Sequence, residues 1–275
     1  MKRMQGTQSM RGMKRRGPPI PKAPLSVHGL SFTYGELRAL RDITVTATPG
    51  CVTAVLGPNA AGKSTLLRCI IGVEKPEGGE VRLGDRAVRS MHPQDRAARL
   101  AYVPQRSTVA ASFTVRQVIE LGRYALPPDP ARIDHAIESC DLADLVDRPY
   151  PALSVGQQQR VTLARALAQH APGGVIILDE PTSAMDYRHV DQAMRLIRQC
   201  ADRGATVLIA MHDLGLAADL AHEAWLLDEG SLIASGATCD VLNAERLRAV
   251  FGLPFRWLNE DGRTWLVPDR HGGSS

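Results

Sequence analysis

The sequence predicts an α/β fold in which an antiparallel β unit leads into a parallel sheet that carries a compact helical insertion. Three observations predict it. The chain opens with strand-like segments punctuated by Gly and Pro, and ITVTAT alternates in the period of two expected of antiparallel strands. Continuous apolar runs such as CVTAVLG and VIIL have strand length and suit a sheet covered on both faces. Stretches of helical periodicity separate those runs, and strands alternating with helices argue for a parallel arrangement.

In chain order, LSVHGLSFTYG and ALRDITVTATPG, from Leu25 onward, read as strand, turn and strand. CVTAVLG (Cys51–Gly57) reads as a buried strand that runs through a glycine-bearing loop into the helix STLLRCII (Ser64–Ile71), stopped by Gly72. The character changes between about Gln105 and Tyr150. In TVRQVIELG, Val115, Val118, Ile119 and Gly122 fall at helical spacing. After a proline-rich break at Leu126–Pro130, ARIDHAIESCDLADL reads as a second helix. The helix VTLARALAQ, the strand VIILDE, the helix RHVDQAMRLIRQCADRG and the strand TVLIAMH follow, then a hairpin AWLLDEGSLIASG turning at Asp228–Ser231. A last small hairpin is expected over about 255–268, around NEDG. The expected organisation is a basic, disordered tail over 1–24 and a single domain over 25–275, with the helical insertion at about 106–155.

The composition restricts what this domain can do. At 44% hydrophobic and 23% charged, it matches a soluble globular chain. No apolar run approaches the ~20 residues that cross a bilayer, so any link to a membrane has to run through a partner. Five scattered cysteines with no CxxC pair give neither a disulfide framework nor a metal site. The formal charge of +4 comes from the tail: seven of the 33 Lys and Arg lie in the first 22 residues with no acid, leaving 26 bases against 29 acids. No nucleic-acid partner is indicated.

Two motifs carry the chemistry. GPNAAGKS, Gly57 to Ser64, fits G-x-x-x-x-G-K-[ST] and lies between a predicted strand and a predicted helix, the context a phosphate loop needs. Its backbone N–H groups and the helix N-terminus suit phosphate, Lys63 suits the β- and γ-phosphates, and the Ser64 hydroxyl suits Mg²⁺. VIILDEP, Val175 to Pro181, places Asp179 and Glu180 at the carboxyl end of a buried strand, where α/β folds keep their ligands. Asp179 is expected to hold Mg²⁺ through water, and Glu180 to polarise an attacking water. A third segment, LSVGQQQR, is polar without being catalytic. Ser154-x-x-Gln157 fits a capping box, which puts it at the start of the helix VTLARALAQ.

These three motifs in this order resemble the ABC-transporter ATPases, whose signature is of the LSGGQ type, and the resemblance runs from Leu25 to about Gly252. It implies a P-loop NTPase fold with an antiparallel β subdomain, a RecA-like parallel-sheet core and an inserted α-helical subdomain. It also implies site residues. ATP is expected against Tyr34 as the adenine-stacking aromatic and against Gly57, Pro58, Asn59, Ala60, Ala61, Gly62, Lys63, Ser64 and Thr65. Gln105 is expected to meet both Mg²⁺ and a transmembrane partner. Ser183–Asp186 resembles the D-loop, with Asp186 near nucleotide, and His212 the switch histidine near the γ-phosphate. Ser154, Gly156 and Gln157 are then expected to reach the ATP held by a second, antiparallel copy, so that hydrolysis needs a dimer. Glu180, His212 and Lys63 are the expected catalytic set, with Ser64, Gln105 and Asp179 at the metal.

Two positions depart from the family pattern. Ala60 and Val155 stand where glycine is usual. Val155 is tolerable in a first helical turn, and Ala60 is expected among the loop's variable positions. FTVRQVIELGRY and NAERLRAVFGLPFRW resemble the importer ATPases for iron–siderophore complexes, haem and cobalamin. That subgroup implies integral-membrane permease partners, a periplasmic or lipid-anchored substrate-binding protein, and a place on the cytoplasmic face of the cell membrane. The ATPase of a zinc or manganese importer, that of an exporter, and a non-transport dimerisation switch remain the alternatives.

Overall fold

The computed structural model describes residues 23–269 apart from 108, 110, 111, 171, 172, 261 and 262. The basic segment 1–22 and the Asp261–Gly262 turn of the last hairpin lie outside the described residues. Two strands open the fold, β1 (Leu25–Tyr34) and β2 (Leu37–Ala47), paired antiparallel. Their alternating burial puts Leu25, Val27, Leu30, Leu40 and Ile43 into one core.

The chain then enters the second sheet through β3 (Val52–Leu56), every residue of which is buried, and turns into α1 (Lys63–Ile70). It returns to the first sheet for β4 (Gly78–Leu83) and the two-residue β5 (Arg86–Ala87), giving the order β2-β1-β4-β5. A polar helix, α2 (Pro93–Arg99), leads to β6 (Leu100–Val103). The helical insertion follows with α3 (Val115–Glu120) and α4 (Pro130–Ser139), and leads into α5 (Val155–Gln169). The remaining elements are β7 (Val175–Asp179), α6 (Tyr187–Asp202), β8 (Thr206–Ala210), α7 (Leu214–Leu220), β9 (Glu223–Asp228), β10 (Ser231–Ala237), α8 (Thr238–Val241), α9 (Ala244–Phe251), and the hairpin β11 (Phe255–Glu260) with β12 (Arg263–Pro268).

The second sheet runs β10-β9-β3-β8-β7-β6, parallel except for β10 at its edge. Five strands, β9, β3, β8, β7 and β6, thus form the expected parallel core. Their carboxyl ends therefore share one edge, which brings the loop after β3 within reach of the last residues of β7 and β8.

The second predicted helix is shorter than its sequence suggests. Ile133, Ala136, Ile137 and Cys140 are buried at helical spacing, but Leu142 is fully buried as well. Nine residues after Ile133, a continuing helix would point Leu142 to the opposite face. Instead α4 ends at Ser139, Asp141 takes a left-handed φ of 54°, and a single 3₁₀ turn covers Ala143–Leu145.

Candidate functional site

A cleft of ≈ 500 Å³ opens at the carboxyl edge of the parallel sheet, lined by Tyr34, Asn59 to Thr65, Gln105 and Glu180. The loop that forms its floor is shaped by close approaches. Gly57 and Gly62 hold φ of 146° and 98°, and a Cβ on either would lie 2.2 Å from the Leu227 carbonyl or 2.6 Å from that of Ala39. Only glycine fits both demands. Ala60 also turns left-handed, at φ 66°, so it occupies a glycine-type position and not a freely variable one.

Lys63 is buried, and its Nζ donates to the carbonyls of Gly57 and Pro58, both at 2.8 Å. Burial lowers its pKa, against the opposing pull of Glu180 and Asp179. Across the loop the Ser64 hydroxyl donates to Asp179 Oδ1 at 2.9 Å, and Asp179 is itself buried. Burial raises the Asp179 pKa, with Ser64 the largest opposing influence and Glu180 adding to the rise. A buried ammonium and a buried carboxylate, each disfavoured by desolvation, suit an incoming anion and an incoming cation together. The oxygen donors at Ser64 and Asp179 suit Mg²⁺, which takes few protein ligands and completes its shell with phosphate and water. No group of three or more His, Cys, Asp or Glu is placed to hold a metal among the described residues.

Glu180 follows β7 directly, with φ 49°, and its N–H donates to the Ala210 carbonyl of β8 at 3.0 Å. The Gln105 amide donates to Glu180 Oε2 at 2.9 Å, and His212 Nδ1 lies 3.9 Å from the same oxygen. The acid, the amide and the imidazole thus converge on one point beside the phosphate loop. Tyr34 leaves its ring half-exposed on the cleft wall, set edge-on to Phe32 with centroids 4.7 Å apart, and its hydroxyl donates to Glu74.

The structure does not bring Ser154, Gly156, Gln157 and Asp186 to this cleft. They form a second group around the start of α5. Ser154 Oγ accepts from the Gln157 N–H while the Gln157 side chain accepts from the Ser154 N–H, completing the capping box. Gly156 lies against the Ser183–Asp186 segment, where a Cβ would stand 2.6 Å from the Ala184 carbonyl.

Residues 40–183 match the ABC transporter family, a little over half of the chain. The hemin import ATP-binding protein HmuV of Rhodococcus jostii is 40% identical over 263 residues, covering 92% of this chain and 89% of that protein. The chain belongs to the ABC transporter family. It is an ABC-type ATP hydrolase. The HmuV protein of Pseudomonas entomophila is 42% identical over 238 residues, covering 83% of this chain and 92% of its own. Among solved structures, an inward-facing metal-chelate type ABC transporter superposes with a TM-score of 0.74 at 27% identity, covering 90% of this chain and 97% of that one. The dimeric bacterial cassette MJ0796 gives 0.72 at 25% identity, covering 78% and 98%.

Within this ABC ATPase, three features escaped sequence reasoning. Arg38 and Arg41 on β2 and the Glu229–Gly230 turn complete the cleft wall, and no local motif marks them. The Tyr102 hydroxyl lies 3.5 Å from Asp179 Oδ2, and burial pushes that phenol up to about 12. Gln159 is buried, donates to Ser183 Oγ at 2.9 Å and accepts from the Ala184 N–H at 3.0 Å. Its place in a run of three glutamines was the available signal. Gln157 caps, Gln158 reaches the Tyr150 and Leu153 carbonyls, and Gln159 holds the neighbouring loop. No helix among the described residues is long and apolar enough to cross a membrane.

Proposed function

We propose that this chain is the ATP-hydrolysing subunit of a haem importer, working as a pair of copies docked on integral-membrane permease subunits at the cytoplasmic face of the membrane. The observation that carries the cargo is the likeness to hemin import ATP-binding proteins across nearly the whole chain. Iron–siderophore complexes and cobalamin are the nearest alternatives. A substrate-binding protein outside would deliver the cargo to the permease.

In this reading Tyr34 stacks on adenine. The backbone from Gly57 to Thr65 cradles the phosphates, and Lys63 exchanges its two loop carbonyls for β- and γ-phosphate oxygens. Ser64, Asp179 and Gln105 would hold Mg²⁺. When bound, that ion neutralises charge on the phosphates as the terminal group leaves. Glu180 orients and polarises the water, and His212 contacts the γ-phosphate. Ser154, Gly156 and Gln157 reach the partner copy's ATP, with Asp186 beside them.

The test is transport. The chain is co-expressed with a haem-type permease, purified, and reconstituted in liposomes loaded with ATP and supplied with an external haem-binding protein. Accumulation of haem that stops with Lys63→Ala is expected. Uptake of a ferric siderophore or of cobalamin in place of haem would overturn the cargo, and recovery of an exporter-type membrane subunit would overturn the direction.

A further inference from the structure

A second cavity, of ≈ 590 Å³, lies away from the nucleotide cleft and shares no lining residue with it. Three helices meet around it: α4 of the helical insertion, the end of α5 and the last turns of α6. Ala136, Leu167, Leu196 and Cys200 give it apolar walls, and Arg132 and Arg203 bring two guanidinium groups to its lining. Small-molecule sites span roughly 300–1,000 Å³ and pair such walls with a few polar groups.

The charge on this lining is unbalanced. Asp129 is the one carboxylate among the described lining residues, and it pairs with Arg132 at 3.7 Å. The Arg132 guanidinium also donates to the His170 carbonyl, so it is held across the gap between α4 and the end of α5. Arg203, just past α6, finds no second acid on the lining. Both guanidinium groups bear on one point inside. Burial pushes the Cys200 thiol up to about 11, against the pull of Arg203 first and Arg132 second. Two cations against one carboxylate, beside apolar surface, complement an apolar body that carries a single negative group. A guanidinium fork matches a carboxylate best.

The cavity also sits at the far ends of two helices whose starts belong to the signature group. α5 begins beside Ser154 and α6 beside Asp186, and their 15 and 16 residues put those starts about 22–24 Å from the cavity. A molecule seated between Leu167 and Leu196 sets the spacing of the two helix ends, and rigid elements carry such a change along their length. The Ala184 N–H, bonded to Gln159 of α5 at 3.0 Å, lies where the two starts meet.

We propose that this cavity binds a small apolar carboxylate, recognised by Arg203 together with Arg132, and that its occupancy is transmitted to the starts of α5 and α6. The probe is decanoate, with decylammonium as the same chain carrying the opposite charge, each titrated calorimetrically into the full chain without nucleotide at pH 7. Decanoate is expected to bind at least about tenfold more tightly than decylammonium, a difference of about 1.4 kcal/mol. Arg203→Gln, at an exposed position, should remove most of that difference. Gln199→Trp, which fills the cavity from an exposed position on α6, should abolish binding of both probes. Equal binding of the two probes, no decanoate binding at millimolar concentration, or undiminished decanoate binding in either variant would overturn the site. Amide hydrogen exchange should slow on adding decanoate over 196–203 and also over 183–186. Slowing confined to 196–203 would overturn the transmission. Neither readout uses ATP, so failure here is distinct from failure of the transport reading.

Discussion

At the scale of residues, three non-glycine positions in the site hold left-handed backbone, Ala60 at φ 66°, Glu180 at φ 49° and Glu229 at φ 43°. Each costs roughly 1–2 kcal/mol, and strain of this kind gathers where surroundings fix a residue for function. Glu180 is fixed by its N–H bond to β8 and by Gln105. His170 at the end of α5 shows the opposite case, a partly buried group outside the cleft with a consequence for stability alone. Burial first, and Arg132 second, lower its pKa from the usual 6.5 to about 4. Between those values the unfolded chain takes up a proton that the folded chain refuses. The stability carried by the neutral ring is therefore complete above pH 6.5 and is lost as pH falls toward 4, up to on the order of 3 kcal/mol. Urea unfolding at pH 7 and pH 4.5 should show His170→Gln losing clearly less stability on acidification than the wild type; equal losses would rule out His170 as the source.

At the scale of elements, what the sequence made legible was whatever rests on spacing. Lys63 and Ser64 follow a strand and open a helix, Asp179 ends a strand with Glu180 just beyond it, and Ser154 with Gln157 starts a second helix; all four strand and helix contexts stand where the sequence pattern put them. Elements without periodicity were missed. The helix α2 buries none of its residues, and β4 carries charge at Glu80 and Arg82, so neither gives a pattern. The break after α4 was hidden because Leu142 extends the apolar text while reversing its face. Contacts between elements distant in sequence were illegible for the same reason, and Gly156 is the sharpest instance. Its backbone needs no left-handed turn; it is glycine because α5 meets the Ala184 carbonyl there. Gly156→Ala should therefore leave binding of ATP to the chain's own loop intact, read by a fluorescent analogue, while hydrolysis falls on the order of 10–100-fold. Unimpaired hydrolysis would mean the segment yields without consequence.

For the whole molecule, the division of the site is the governing fact. The cleft that holds Lys63, Ser64 and Glu180 contains none of Ser154, Gly156, Gln157 or Asp186. One chain on its own gathers Lys63, Ser64 and Glu180 on one side, and leaves the N-terminus of α5, with exposed Val155, outside that cleft. Two antiparallel copies would complete both halves at once, a closed twofold arrangement in which each copy lends the other what it lacks. The prediction concerns rate order as well as mass. At low concentration, ATP turnover per chain should rise with chain concentration, because the active species is a pair. Glu180→Gln should bind ATP and Mg²⁺ without hydrolysing it, and light scattering should find it at twice the mass of the ADP-bound wild type. Turnover per chain that stays constant down to nanomolar chain, with Glu180→Gln remaining single under ATP, would show that one copy suffices and that the start of α5 serves another partner.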